Sequence, residues 1–441
     1  MSRAHSPVTQ VRRGSATIIF KPVHKVGLGL GALVVAAAVL AMQPQRPARD
    51  SGSPVAAAHM RLAAIAPAAR RDIDYARLDS RLQQLIAKPG MVGLAVGVVE
   101  NGRITFLKGY GETHAGSGDP VTPDTVFRWA SVSKGVAATM VAKLAQQGKI
   151  DLNAPVANYA ADLKLPNSNE YRATVGDLLS HRLGLYRNAY DNKLEEGMDP
   201  SMLRRGLVQL NAICPPGTCW SYQNVAYDAS SEMVSKVTGL PYSVALQRAL
   251  FDPLGMVHAS VSMEALMANS SWARPHGLGG KELPMVDTYY KVPAAGGINS
   301  NIKDMSVWMM AQMGQMPDVL EGKLLATIHA PYVKTPSERG RLRAYLERLT
   351  GAWYGYGWRS YDYAGHRLVG HRGGINGYRS LILFDPARKS GVVALWNSNA
   401  SQPGGLEFEV IDQLYHLEFR DWLKLDPQAP KLPVAQTDDG V

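Results

Sequence analysis

Two apolar runs flank Asn101-Gly102 in the stretch Met91–Gly111, MVGLAVGVVENGRITFLKGYG. Asn-Gly between alternating hydrophobic segments is the strongest short-range hairpin signal, because both turn residues must take positive φ. Comparable strand signals do not return until late in the chain, at Tyr354–Tyr361, Tyr378–Phe384 and Gly391–Trp396, set apart by Gly, Asp-Pro and Ser-Gly. Between the two groups the pattern is helical: Val136–Gln147, Val175–Ser180, Tyr227–Thr238 and Met305–Met313. Helical spacing also marks Ile73–Lys88, stopped by Pro89-Gly90, and Leu406–Leu423. Strands at both ends, helices in the middle and no βαβ rhythm specify an α+β fold. It is an antiparallel sheet built from both termini, flanked by terminal helices, with a mostly helical lobe inserted.

The chain has 441 residues and a net charge of +10, which raises nucleic acid or membrane as partners. The distribution argues against nucleic acid. Residues 1–49 hold seven basic side chains and no acidic one, so subtracting them from the total leaves +3 for the remainder. No basic run interleaved with aromatics is present. Val26–Met42 carries no charge and follows basic residues. It reads as a signal peptide cleaved near Ala41 or as a retained membrane anchor, and either exports the body of the chain, to a periplasm. The organisation expected is a basic leader (1–25), the apolar segment (26–42), a flexible linker (43–71), one catalytic-sized domain (72–424) and a disordered tail (425–441). Cys214 and Cys219, in C-P-P-G-T-C, are too few for a zinc site. Export makes a disulfide between them one reading; two buried thiols are the other.

Chemistry begins at Phe127–Lys134, FRWASVSK. S-x-x-K is a weak signal alone, and Ser300–Lys303 is a second copy, where Asn301 and Asp304 read instead as a helix cap. At Ser131 a cap competes with a nucleophile. As a helix, the segment puts residues i and i+3 on one face, so the Lys134 amine reaches back to the Ser131 hydroxyl. A helix N-terminus disfavours a nearby cation, which suits Lys134 to accepting a proton. Y-x-N occurs three times. Tyr186–Asn188 and Tyr190–Asn192 lie in a polar loop and read as solvated, whereas Tyr222–Asn224 follows a rigid Pro-Pro-Gly turn. A third segment, Gly370–Tyr378, GHRGGINGY, reads as lying between two strands, with glycines that leave room for a ligand beside His371. Neither G-x-S-x-G nor H-E-x-x-H occurs, which disfavours an α/β-hydrolase and a zinc hydrolase.

Together these segments resemble the serine β-lactamase and penicillin-binding-protein superfamily, on its class C and D-alanyl-D-alanine-carboxypeptidase side. Phe127–Lys134, Gly148–Val156, Thr174–His181 with Gly184-Leu185, Pro216–Asn224, Pro253–Met256, Ala295–Ser300 and His371–Gly373 carry the resemblance, in order, over about residues 74–424. It implies an acyl-enzyme at Ser131, with Lys134 and Tyr222 sharing proton transfer. It also implies Asn224 on the substrate amide, an oxyanion hole from the N–H of Ser131 and one near Gly374, and His371, Gly373 and Gly374 lining the substrate. No cofactor and no metal are implied. The partner is a small-molecule or peptide substrate, cell-wall peptide included, together with the inner membrane where the apolar segment is retained. The third triplet departs from the family's K-T-G: its lysine is His371 and its threonine Arg372. That argues against an efficient β-lactamase and leaves D-peptide or ester chemistry open. His371 would face either a substrate carboxylate or Tyr222, and if Arg372 projects away only His371 matters. The alternative is a protein of the same fold that binds penicillin or senses cell wall without turnover.

Overall fold

Every residue of the first strand, β1 (Gly93–Glu100), is buried, because both faces of the sheet it belongs to are covered. The computed structural model describes residues 71–428; the leader, the apolar segment, the linker up to Ala69-Arg70 and the tail from Ala429 lie outside the described residues. β1 pairs with β2 (Arg103–Gly111) across the expected Asn101-Gly102 turn, where both residues have positive φ. On its other edge β1 pairs antiparallel with β10 (Ser390–Trp396), close to the other end of the described chain. The short strands β3 (Phe127–Arg128) and β4 (Asn299–Ser300) pair with each other. The remaining strands are β5 (Val333–Lys334), β6 (Leu349–Tyr354), β7 (Arg359–Tyr363), β8 (His366–Ile375) and β9 (Tyr378–Asp385). The large sheet runs β2-β1-β10-β9-β8-β7-β6-β5.

Alternation along β1 assigns its faces. Leu94, Val96 and Val98 pack in one core with Leu78, Leu82 and Leu85 of the helix Tyr75–Ile86 and Leu406, Val410 and Ile411 of the helix Leu406–Leu414. Ala95 and Val99 pack in the other with Met305 and Trp308 of the helix Ile302–Gln312 and Val136 and Met140 of the helix Ser133–Gln146. Period-2 side chains and period-3.6 helix stripes thus meet on opposite sides of one sheet. Asp74 caps the first helix, accepting from Arg77 N–H. Asn301 caps the Ile302 helix, accepting from Asp304 N–H at 2.9 Å, as the N-x-x-D pattern specifies.

Arg81 ties the two terminal helices together under the sheet. Its Nε donates to Glu409 at 2.6 Å and its Nη2 to Asp421 at 2.5 Å, with the arginine and both acids buried. The C-terminal helix stops at Leu414 rather than Leu423. His416 takes positive φ, the chain turns back, and Trp422 buries its ring while donating to Asp412 at 2.6 Å. Leu425 is buried, so packing extends past the expected start of the tail. The expected strand Tyr354–Tyr361 is two strands instead. Gly355 N–H donates to Trp358 O at 2.7 Å, and Gly357, at φ +72°, turns where a side chain would strike Lys134 O and Ala138.

His181 and His371 are buried and His329 is half-buried, and loss of water around each ring pushes it down, His329 to about 3. Each is neutral when folded and takes up a proton when unfolded below its ordinary value of about 6.5. Their contribution to stability is therefore complete above that pH and is lost as pH falls towards the folded value. For His329 alone the loss between pH 7 and pH 5 is about 2 kcal/mol. Urea unfolding at the two pH values should show His329→Gln losing about 2 kcal/mol less than the parent chain; equal losses would contradict the assignment.

Candidate active site

The segment before Ser131 is held on three sides. β3 pairs with β4, Trp129 N–H donates to Ile298 O at 2.8 Å, and Ser380 of β9 donates to Trp129 O at 2.6 Å. Ala130 then takes φ +47°, a conformation disfavoured for any residue with a Cβ and held only by surrounding structure. The chain makes one tight turn, Ala130–Val132, and enters the helix at Ser133. Ser131 does not cap that helix: Val132 occupies the cap position and no side chain bonds there. Ser133 is the structural serine, accepting from Ile298 N–H at 3.1 Å. Ser131 is partly exposed, whereas Lys134 below it is fully buried.

The Lys134 amine is satisfied from three directions. It donates to Asn224 Oδ1 at 2.6 Å and Ala295 O at 2.9 Å, and lies 3.5 Å from Ser131 Oγ. It also sits 4.7 Å from the centre of the Tyr222 ring and 5.5 Å from that of Tyr227. Ser131, Lys134, Tyr222 and Asn224 are thus brought to one place by two segments distant in sequence. Tyr222 is positioned by its own backbone: Ser221 N–H donates to His181 O at 2.9 Å, and Tyr222 O accepts from Asn188 N–H at 2.8 Å.

Of the rings around Tyr222, only His371 was among the residues singled out from the sequence. His181, Trp220, Tyr354 and His371 pack their rings around it, with His181 nearest at 4.4 Å between centroids. Gln223 N–H donates to His181 Nδ1 at 3.2 Å, so the proton of the neutral ring sits on Nε2, facing the aromatic cluster. Behind the cluster lies Arg359, paired with Glu338 at 3.1 Å and 5.8 Å from the Tyr222 ring centre. The second Y-x-N is not solvated as its polarity suggested. Tyr190 is buried, and Asp191 accepts from Asn224 Nδ2 at 2.6 Å. Burial raises the Asp191 carboxyl, partly offset by that hydrogen bond. Asp191 opens the helix Asp191–Glu195, whose Leu194 is buried; an apolar residue three positions on in an otherwise polar loop was the local hint.

The segment Gly370–Ile375 lies within β8, not between strands. Alternation therefore sends neighbouring side chains to opposite faces. Arg372 points away from Lys134 to the terminal-helix side, donating to Glu407 at 2.6 Å. His371 takes the Tyr222 side. Its Nδ1 donates to Arg372 O at 2.8 Å, so Nε2 accepts from Tyr354 OH at 3.0 Å. Burial, then the charges of Arg359 and Lys134, hold the ring neutral, so it offers no cation to a carboxylate. A side chain at Gly373 would meet Trp129 O at 2.5 Å and collide with Ser380 Oγ; only glycine lets β8 lie against the Ser131 turn. Gly374 follows at the strand end. Cys214 and Cys219 form a disulfide, Cα–Cα 6.3 Å, three residues ahead of Tyr222.

Residues 78–415 match the family model described as Beta-lactamase. The chain is 30% identical over 338 residues to Penicillin-binding protein 4 of Amycolatopsis lactamdurans, covering 74% of this chain and 85% of that one. It is 28% identical over 345 residues to the unguisins hydrolase of Aspergillus campestris, covering 75% of this chain but only 62% of the relative, so it spans about three-fifths of that protein's length. The octameric penicillin-binding protein homologue from Pyrococcus abyssi superposes with a TM-score of 0.71 at 24% identity, over 78% of each chain, and shares the fold. The chain therefore belongs to the beta-lactamase family.

Proposed function

We propose that the chain is an exported serine hydrolase that forms an acyl-enzyme at Ser131 on an ester or a D-alanyl-type amide or peptide. The observation that carries this reading is the Lys134 amine, which lies 3.5 Å from a partly exposed serine hydroxyl and beneath the Tyr222 ring. Ser131 Oγ attacks the carbonyl carbon as its proton passes to the Lys134–Tyr222 pair. The carbonyl oxygen gains charge and is held by the backbone N–H of Ser131 and one near Gly374. The same pair returns the proton to the departing alcohol or amine, and water then releases the acid by the reverse path. In this reading Asn224, held between Lys134 and Asp191, offers its remaining N–H to the substrate's amide. Metal ions and cofactors have no part in this scheme.

Export rests on the uncharged Val26–Met42 segment and its basic flank; it places the enzyme in a periplasm, released or anchored to the inner membrane. The likeness to a penicillin-binding protein supports a second reading, in which the acyl-enzyme forms but water releases it slowly. Deacylation rate separates the two.

Ser131→Ala should abolish labelling by a fluorophosphonate and lower ester turnover at least about 10⁴-fold with an unchanged melting temperature; equal labelling of both proteins would refute the assignment. Tyr222→Phe should lower kcat about 10²- to 10⁴-fold, read by steady-state kinetics on a nitrophenyl ester; unchanged kcat would remove Tyr222 from the proton path. With Arg372 turned to Glu407 and His371 neutral, β8 presents neither lysine nor threonine to the carboxylate of a β-lactam. A panel of nitrocefin, short-chain nitrophenyl esters and D-alanyl-D-alanine peptides should therefore give kcat/KM at least about tenfold lower for nitrocefin than for the best of the others. Nitrocefin ranking first would reverse the substrate reading.

A further inference from the structure

The segment Asn188–Asp191 runs alongside the one that carries Tyr222 and Asn224. Asn188 N–H donates to Tyr222 O at 2.8 Å, Ala189 N–H to Gln223 Oε1 at 3.3 Å, and Asn224 Nδ2 to Asp191 Oδ2 at 2.6 Å. Two non-glycine residues where the segments meet, Asn188 and Tyr190, take positive φ of +54° and +66°. That conformation is unfavourable unless its surroundings enforce it. Tyr190 is buried and donates to Gly206 O at 3.3 Å. The fold thus sustains local strain at the point where one carboxylate is set against Asn224.

That carboxylate decides which way the Asn224 amide faces. An ionised carboxylate only accepts, so the amide turns its Nδ2 to Asp191 and its Oδ1 to the Lys134 amine, 2.6 Å away. Asp191 has no counter-ion of its own: among the described residues no cationic side chain lies within 4 Å of it. Its Oδ1 is buried with no hydrogen bond. The charged groups that face it are Lys134 across Asn224, Arg187 from the loop before it and Glu195 one turn on in its own helix. The Tyr289 phenol faces it from the Thr288–Tyr290 turn and donates to Glu195 at 3.1 Å. Asp228, a second carboxylate that acts on the lysine, is already paired with Arg204 at 3.0 Å. A carboxylate oxygen held out of water without a donor destabilises a fold, and such groups persist where a site makes use of them.

We propose that Asp191 is a positioning residue for acylation at Ser131. It fixes the Asn224 amide, which holds the Lys134 amine beside the Ser131 hydroxyl, and its negative charge acts on the proton that Lys134 and Tyr222 share. The proposal rests on the hydrolase reading above and extends its machinery one residue outward, to a group that supports the reacting side chains without touching substrate.

The test is the rate of Ser131 labelling by a fluorophosphonate across pH, in the full chain and in its Asp191→Asn and Asp191→Ala variants. The probe carries no amide, so contact between Asn224 and a substrate amide does not enter. Asparagine keeps the shape and an acceptor for Asn224 while removing the charge. Loss of a negative charge makes a proton on a neighbouring group easier to lose. The midpoint of the acid limb should therefore fall by about half a pH unit or more in Asp191→Asn, with the melting temperature unchanged or higher. At its own optimum pH that variant should label within about threefold of the parent, whereas Asp191→Ala, which leaves the amide free to turn, should label at least about tenfold more slowly. An unmoved midpoint in Asp191→Asn, or Asp191→Ala labelling as fast as the parent, would overturn the proposal. Where Asp191→Ala fails to fold, the midpoint of Asp191→Asn decides. A structural role alone would lower both melting temperatures and leave the midpoint in place. A parent that labels at Ser131 with both variants unchanged removes Asp191 and leaves the hydrolase standing; a parent that does not label there removes both.

Discussion

A fully buried lysine amine must find acceptors, and Lys134 finds them on two other parts of the chain. Its bonds to Asn224 and to the Ala295 carbonyl bring the Ser131 turn, the Tyr222 segment and the lobe next to β4 into one pocket. Leaving that amine without partners would cost several kcal/mol, so the same contacts that satisfy it also fix where Ser131 stands. Positive φ at Ala130 is sustained by the surrounding anchors: β4, the Ile298 carbonyl and Ser380. Stability and chemistry are coupled here through one side chain.

Electrostatics around Tyr222 follow from the same burial. Both neighbouring histidines are neutral, and the Arg359 guanidinium stands 5.8 Å from the centre of the phenol ring. The aromatic rings that enclose it restrict its motion and keep water from its flanks. A phenol in such a setting is oriented before substrate arrives, which is the condition for proton transfer without reorganisation.

Much of this was legible in the sequence where signals are local. Ser131 and Lys134 lie three residues apart and Tyr222 and Asn224 share a rigid segment, so spacing raised each pair and the resemblance to the family singled it out. The hairpin at Asn101-Gly102 and the strands near both ends specified the antiparallel sheet. What escaped was encoded between distant residues. Asp191 reads as a loop acid until Asn224 is seen 33 positions later in the chain and 2.6 Å away. Arg359, Tyr354 and His181 gather around Tyr222 only because β7, β6 and the turn after Leu179 converge there. The break in the strand near Gly357 was written in its two glycines, but the aromatic run around them masked it. Helix Leu406–Leu414 is shorter than its pattern suggested, and the chain beyond it folds back to put Asp421 against Arg81, 340 positions away.

Pairing of β1 with β10 also sets an order of events. The serine turn is synthesised long before the strands that support it, since Ser380 and Gly373 come some 240 residues after Ser131. Non-local pairing of this kind must wait for the later segment and slows folding. A nascent or clipped polypeptide lacking the last strands therefore carries the hydroxyl and the amine but no groove to present them.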